Sequence, residues 1–145
     1  MSPLTKEQIK EIAEQLDCGF RCFLNKKNGE LIFVPDEYKH PGMETEAWTD
    51  ELEKLEENFT DYFEIEQLES SDSFKIMADF VESLSDSNKL KSRLISALNK
   101  NKPFREFKFV IDNSGEYRQQ WFDFKTRKLQ EWVTDNFDRI SRLEE

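Results

Sequence analysis

The sequence YFEIEQLESSDSFKIMADFVESL, residues 62–84, predicts a short strand, a turn and an apolar helix in immediate succession. At its start the apolar residues Phe63 and Ile65 alternate with glutamates, which is the pattern of a strand with one face in a core. The two serines and the aspartate that follow offer oxygen atoms to the free N–H groups of a helix start. The helix must then be covered on more than one side, because its apolar positions form a wide stripe: Phe74, Ile76, Met77, Ala78, Phe80, Val81 and Leu84.

Two amphipathic helices and a hairpin are predicted before this stretch. Thr5 and Gln8 have the spacing of a capping box, and apolar residues at helical spacing follow them. Two apolar-rich runs come next, and the Asn-Gly dipeptide between them, residues 28–29, is the strongest short hairpin signal. A second helix is strongly acidic, and its apolar face consists of Trp48, Leu52, Leu55 and Phe59.

Three further helices are predicted after residue 84. Asp86 or Ser87 can cap the first, Pro103 suits the first turn of the second, and residues 116–143 form a single long helix of about 40 Å. The fold class is therefore α+β, with a small antiparallel sheet of about three strands packed with about six helices. A length of 145 residues corresponds to one domain, residues 1–145.

Aromatic residues are expected to supply much of the core. The chain has 13 Phe, three Trp and three Tyr, whereas 36% of its residues are charged. One continuous core is predicted to contain Phe63, Phe74, Met77, Val81, Phe104, Phe107 and Trp121.

The sequence also predicts a cytoplasmic location. The first twenty residues lack the apolar run of a signal peptide, and no segment approaches membrane-spanning length. In the cytoplasm the two cysteines, Cys18 and Cys22, are expected to remain reduced.

Charge is distributed unevenly along the chain. Residues 1–72 carry 19 acidic and seven basic residues, whereas residues 73–145 carry 12 acidic and 14 basic ones. The extremes are residues 36–69, with 13 acidic and two basic side chains, and residues 89–108, with seven basic side chains and one acidic. The acidic half favours a solvated surface that keeps the protein in solution, and the two halves are electrostatically complementary.

Several stretches resemble a bacterial family, the uncharacterised protein family 0158. They are FEIEQLESSDSFKIMADFVESL from Phe63, PFREFKFVI from Pro103, RQQWFDF from Arg118 and, more weakly, the hairpin NKKNGELIFVPD. The resemblance implies a cytoplasmic bacterial α+β protein without an assigned activity. It supplies no catalytic residues that can be transferred to this chain.

The residues themselves do not form a complete catalytic or metal-binding set. Cys18, Cys22 and His40 lack the spacing of a zinc site, and the single histidine has no nucleophile motif beside it. There is no P-loop and no dinucleotide fingerprint. We expect no metal, no cofactor and no catalytic residues.

The most reactive-looking pair is Glu64 and Glu66, since carboxylates two residues apart on a strand share one face and can hold a proton or a metal. The alternative is an ordinary solvent-facing or ion-paired strand surface. If the pair points inward, its predicted partners are Arg105, Lys108 or Arg118.

The basic residues 89–108 form a second candidate surface. Phe104 and Phe107 are interleaved with them, which resembles the composition of nucleic-acid-binding segments, although these phenylalanines also have the spacing of core residues.

These observations lead to a main functional hypothesis and two alternatives. The main one is a non-enzymatic interaction or regulatory protein with a protein partner and no membrane contact. The first alternative is a nucleic-acid-associated factor that uses residues 89–108, and the second is a carboxylate-dependent enzyme at Glu64 and Glu66. A homodimer is a further hypothesis, with an interface of exposed apolar residues on the last helix: Trp132, Phe137 and Ile140.

Overall fold

The computed structural model describes residues 2–144, which form a three-stranded antiparallel sheet and six α-helices, as the sequence predicts. The strands are β1 (Phe20–Asn25), β2 (Leu31–Pro35) and β3 (Tyr62–Ile65). The helices are α1 (Lys6–Asp17), α2 (Thr49–Glu57), α3 (Ser70–Ser83), α4 (Lys89–Leu98), α5 (Pro103–Asp112) and α6 (Tyr117–Leu143), and 3₁₀ turns at Glu46–Trp48 and Phe59–Asp61 flank α2. Within residues 2–144, none of the helices has the length and apolar character needed to cross a bilayer.

The chain groups into two compact units. The sheet unit comprises Met1–Gln67 and Leu129–Glu145, and the helical unit comprises Leu68–Lys128. The sheet unit therefore contains all three strands, α1, α2 and the second half of α6, while the helical unit contains α3, α4, α5 and the first half of α6. The single domain expected for residues 1–145 stays a prediction.

The hairpin forms where the Asn-Gly dipeptide predicts it. The side chain of Asn25 accepts hydrogen bonds from the N–H groups of Lys27 and Asn28, at 2.8 and 3.1 Å. Gly29 follows with a φ of +76°, a left-handed conformation that L residues rarely adopt. The returning strand pairs with β1, and β3 pairs with the opposite edge of β1, which gives the strand order β2-β1-β3.

Both faces of the sheet contain buried residues, which differs from the one-sided strand that the alternation around Ile65 predicts. Ile65 is completely buried, as expected, but Tyr62 on the other face is buried as well, and Phe63 is only half-buried. The reason is the packing of α2 against β2. The resulting cluster combines Phe23, Ile32, Val34, Trp48, Leu55 and Tyr62.

Aromatic rings fill the core of the helical unit. The ring of Trp121 lies edge-on to those of Phe107 and Phe80, with centroids 4.8 and 5.4 Å apart. Most of the predicted core members are in this cluster: Phe74, Met77, Val81, Phe107 and Trp121.

Two members of the predicted core lie elsewhere. Phe63 belongs to β3 in the sheet unit. Phe104 is 44% exposed, because it lies in the first turn of α5 at the margin of the face that buries Phe107. The prediction of one continuous core is therefore wrong for these two residues.

Side chains close in sequence form capping hydrogen bonds at the starts of α1 and α3. At α1 the predicted capping box is confirmed, since the Thr5 hydroxyl accepts the Gln8 N–H at 3.1 Å and the Gln8 side chain accepts the Thr5 N–H at 2.9 Å. At α3 the serines are not the cap. The N-cap residue is Glu69, whose N–H donates to the Asp72 carboxylate at 2.9 Å, so an acidic pair replaces the predicted hydroxyls.

Two side chains of α6 form hydrogen bonds with the backbone of Glu66, the residue that follows β3. The Asn136 side chain accepts the N–H of Glu66 at 3.2 Å, and the carbonyl oxygen of Glu66 accepts the indole N–H of Trp132 at 2.7 Å. These bonds supply backbone partners that an edge strand lacks. Phe137, on the same helix, is buried.

The predicted dimer interface assumed that Trp132, Phe137 and Ile140 are exposed, and the packing of α6 bears on that assumption. Trp132 and Ile140 are half-buried and Phe137 is buried within its own chain, so the expected exposure of aromatic area is wrong for Phe137. The reason is that this face of the second half of α6 packs within the sheet unit, where Trp132 and Asn136 bond to the backbone of Glu66.

We predict that Phe107→Ala lowers the free energy of unfolding by about 3–5 kcal/mol, because a fully buried ring leaves a cavity among close-packed neighbours. Phe104→Ala is the matched control, and its loss is expected to be much smaller because the side chain is partly in water. Urea denaturation measures both. Equal losses for the two variants would contradict the assignment of the buried face of α5.

We also predict that Asn136→Ala lowers the free energy of unfolding by about 1–3 kcal/mol, because the Glu66 N–H loses its buried partner. Asn101→Ala, at an exposed position, is the control. A variant at Asn136 that unfolds at the same urea concentration as the control would show that this bond does not stabilise β3.

Candidate functional site

The first carboxylate of the candidate pair, Glu64, is held by Arg21 of β1. The guanidinium donates from Nε to Oε2 at 2.9 Å and from Nη2 to Oε1 at 2.8 Å, so both carboxylate oxygens are engaged. Both side chains are partly buried, and the guanidinium also lies 5.1 Å from the centre of the Phe23 ring. The hydrogen bond to Glu64 raises the pKa of Arg21 above its ordinary value.

The second carboxylate, Glu66, pairs with a different arginine. Arg139 of α6 donates from Nη2 to Oε2 of Glu66 at 2.6 Å, and it also donates to the side-chain oxygen of Asn136 at 3.3 Å. Each carboxylate is thus neutralised by its own cation. This arrangement resembles the ion-paired strand surface that the sequence left open as the alternative to a shared proton or metal site.

The basic residues that the sequence proposed as partners lie in the helical unit. Arg105 donates to Glu106 at 3.2 Å, and Arg118 donates to Asp112 at 3.3 Å. Lys108 is exposed and has no ion-pair partner among residues 2–144.

Sequence reasoning missed Arg21 and Arg139 because they lie 43 and 73 residues from their partners. Only the pairing of β1 with β3 and the packing of α6 bring them close. The signal in the sequence was the alternation in β1, which places Arg21 on the same face as Phe23. In the sheet, Phe23 is the residue of β1 that pairs with Glu64.

The single histidine contacts a backbone carbonyl group and an aromatic ring, and the two cysteines are not bonded to each other. His40 donates from Nε2 to the Cys18 carbonyl oxygen at 2.9 Å and lies edge-on to the Phe20 ring. Cys18 is exposed and Cys22 is buried, and burial raises the pKa of the Cys22 thiol above its ordinary value. Across residues 2–144, no three His, Cys, Asp or Glu side chains lie close enough together to hold a metal ion.

Exposed aromatic and basic side chains share the outer side of α5. Phe109 is 65% exposed and Phe104 is 44% exposed, and the exposed Arg105 and Lys108 lie between them in sequence. We call these four residues the α5 surface.

The candidate residue Phe107 is buried, whereas Phe109, which sequence reasoning did not select, is exposed. The signal was present, because position 109 falls outside the helical face shared by Phe107, Val110 and Ile111.

The remaining basic residues of the stretch 89–108 are partly neutralised. Lys91 bonds Asp86 at 2.7 Å, and Lys100 lies 3.8 Å from the Glu106 carboxylate. Lys102 is exposed and, like Lys108, has no ion-pair partner among the described residues 2–144.

Comparison with known proteins identifies the family. The uncharacterised protein family UPF0158 matches residues 1–141. The chain is also similar to UPF0158 protein PA5073 of Pseudomonas aeruginosa, with 28% identity over 137 residues, which cover 93% of this chain and 82% of that protein. No solved structure matches the chain. On the match over nearly its whole length, the chain belongs to the uncharacterised protein family UPF0158.

Proposed function

We propose that this protein is a non-enzymatic cytoplasmic interaction protein that binds an acidic protein partner through the α5 surface. The observation that carries the proposal is the exposure of Phe109, of which 65% is accessible to water. A second exposed ring, Phe104, and two cations accompany it on the same helix. A single exposed apolar residue is ordinary, but a group of aromatic rings and cations on one helix is typical of binding surfaces.

Aromatic and arginine side chains are the residue types that most often dominate binding energy at protein interfaces. Phe109 can bury its ring against a partner, while Arg105 can form paired hydrogen bonds to a carboxylate. Lys108 adds a charge that no acidic residue within residues 2–144 neutralises.

The charge of the helical unit favours an acidic partner. This unit carries 12 basic and nine acidic residues, a net charge of +3, although the whole chain has a net charge of −10. An acidic surface would therefore be attracted to the helical unit and repelled by the rest of the chain. This difference in charge favours the approach of an acidic partner to the helical unit over its approach to the rest of the chain.

The absence of catalysis is part of the proposal. Glu64 and Glu66, the carboxylates with the most reactive sequence pattern, are each bound to an arginine. A general base needs an oxygen directed at a substrate, and both oxygens of Glu64 already accept hydrogen bonds. Two unpaired cysteines support the cytoplasmic location, because that compartment keeps thiols reduced.

We predict that a Phe104→Ser, Phe109→Ser double variant loses its protein partner in affinity capture from a bacterial lysate, with recovery reduced at least about tenfold. The reason is that both substitutions remove apolar area only from the α5 surface. Tyr38→Ser is the matched control, because Tyr38 is even more exposed but lies outside this surface.

The control should retain the partner at the wild-type level, and circular dichroism should show that all three proteins are folded. Equal capture by the double variant and the wild type would overturn the proposal. So would a catch that consists of RNA and disappears after nuclease treatment.

Nucleic acid is a second candidate partner, and one observation favours it. Phe104 and Phe109 offer exposed rings beside Lys102 and Lys108, which have no ion-pair partner within residues 2–144. Single-strand-binding surfaces use this combination for stacking and phosphate contact. The net charge of −10 opposes this reading, because nucleic-acid-binding domains are usually basic.

If this second function operates, a labelled single-stranded RNA should bind with an affinity that falls steeply as salt increases. Replacing Lys100, Lys102 and Lys108 by Glu should abolish the fluorescence anisotropy change. The same charge change at the exposed lysines Lys6, Lys10 and Lys39 is the control and should weaken binding only slightly. Undetectable binding by the wild type at low ionic strength removes nucleic acid from consideration.

A further inference from the structure

A groove of about 330 Å³ lies over one face of the sheet, beside α2. Its floor is formed by the sheet residues Phe23, Val34 and Tyr62, together with the ion pair between Arg21 and Glu64. Side chains of α2 and of the following turn form its wall: Leu52, Leu55, Glu56 and Phe59.

The wall of the groove contains three residues of the predicted apolar face of α2: Leu52, Leu55 and Phe59. Leu55 packs against the sheet cluster, but Leu52 is 39% exposed and Phe59 is 73% exposed. Two members of the predicted apolar face of α2 are therefore left in water at the groove wall. Exposed apolar side chains that line a concave surface are a common feature of binding sites.

One of the residues that line the groove, Tyr62, has a buried hydroxyl group without a hydrogen-bond partner among residues 2–144. Tyr62 as a whole is almost completely buried. Buried hydroxyl groups are rarely left unpaired in proteins.

The helix that forms the wall of the groove, α2, is rich in acidic residues. The nine residues of α2 include five acidic side chains and one lysine, and that lysine, Lys54, is already bonded to Glu30. Glu56 lines the groove and has no ion-pair partner within the part of the chain that the structure describes. The sheet unit as a whole has 22 acidic and nine basic residues.

From the apolar side chains of the groove and the acidic helix that forms its wall, we infer that this groove binds a basic amphipathic segment of another protein, with an aromatic or leucine side chain placed between Phe59 and the sheet. Charge complementarity selects the partner, because a cationic segment is attracted by α2 while an acidic one is repelled. A helix that presents apolar side chains at positions i, i+3 or i+4, and i+7 toward the groove and lysines toward α2 has the required chemistry. The volume suits one or two such side chains, since it is at the low end of the range for ligand pockets.

The ion pair in the floor has a defined role in this binding. Arg21 and Glu64 neutralise each other, so an apolar side chain can cover them without leaving an uncompensated charge. Glu56, which has no such partner in the described part of the chain, is the group that would pair with a cation of the bound segment.

The inference is independent of the α5 surface, which lies in the other unit and has the opposite charge preference. The two are tested by different variants and different probes, so either can fail alone.

The test uses a synthetic 14-residue amphipathic peptide with two Leu and one Phe on one face and Lys on the other, titrated into the full-length protein by calorimetry. Micromolar binding that weakens as salt increases is expected. Leu52→Ser and Phe59→Ser should each weaken binding about tenfold or more, and Glu56→Gln should weaken it severalfold. Because Leu52 and Phe59 are exposed, these variants should remain folded, which circular dichroism checks.

Matched controls distinguish the groove from diffuse attraction to an acidic protein. Tyr38→Ser removes an exposed ring outside the groove, and Glu14→Gln removes an exposed charge on α1. Both should bind the peptide as the wild type does. A peptide in which Leu and Phe are replaced by Ser, with its lysines kept, should bind at least about tenfold more weakly.

Three results would overturn the inference. The first is equal binding by the groove variants and their controls, and the second is equal binding of the serine-substituted peptide. The third is self-association in sedimentation equilibrium that Phe59→Ser abolishes and the peptide competes away, because this would assign the groove to a second copy of the chain.

Discussion

The packing of Trp121 among other aromatic rings is the constraint on which the helical unit depends. Phe80 of α3 and Phe107 of α5 approach the indole edge-on, and Phe124 of α6 stacks beside it. Three helices therefore meet at one side chain, whose position fixes which face of each helix is buried. In a chain with 36% charged residues, a few large rings supply apolar area that aliphatic side chains supply in other proteins. Phe109 lies outside the face of α5 that carries Phe107, Val110 and Ile111, and it is therefore exposed.

Local chemistry was predictable from the sequence, and contacts between distant residues were not. The capping box of Thr5 and Gln8, the Asn-Gly turn and Pro103 at the start of α5 each depend on residues a few positions apart, and all are present in the structure. Sequence distance explains why Arg21 and Arg139, the partners of the two carboxylates in the structure, were not foreseen. Alternation shows which strand residues share a face, but it does not show which strands are neighbours.

Helical periodicity predicted which side of each amphipathic helix is buried, but not how far the buried side extends. Periodicity correctly selected Phe107 and Met77 as buried residues. It overestimated the burial of Phe104 and of Leu52, which lie at the margins of their apolar stripes. A periodic pattern defines a direction on the helix, whereas the width of the buried arc depends on what packs against it. The residues at these margins now form the two candidate binding surfaces, so the errors of the sequence prediction coincide with the places where the chain has apolar area to offer a partner.

The three tryptophans occupy three different environments, and this has a spectroscopic consequence. Trp121 is buried among aromatic rings in the helical unit, Trp132 donates its indole N–H to a backbone carbonyl at the end of β3, and Trp48 is half-buried beside Phe20 in the sheet unit. Their fluorescence emission should therefore differ in wavelength and in quenching, since an indole emits at longer wavelength as it becomes more hydrated. Proteins that keep only one of the three indoles would report separately on the helical core, on the closure of the third strand and on the sheet beneath α2. The chain thus contains intrinsic optical probes for each of these regions, and no external label is needed to follow them.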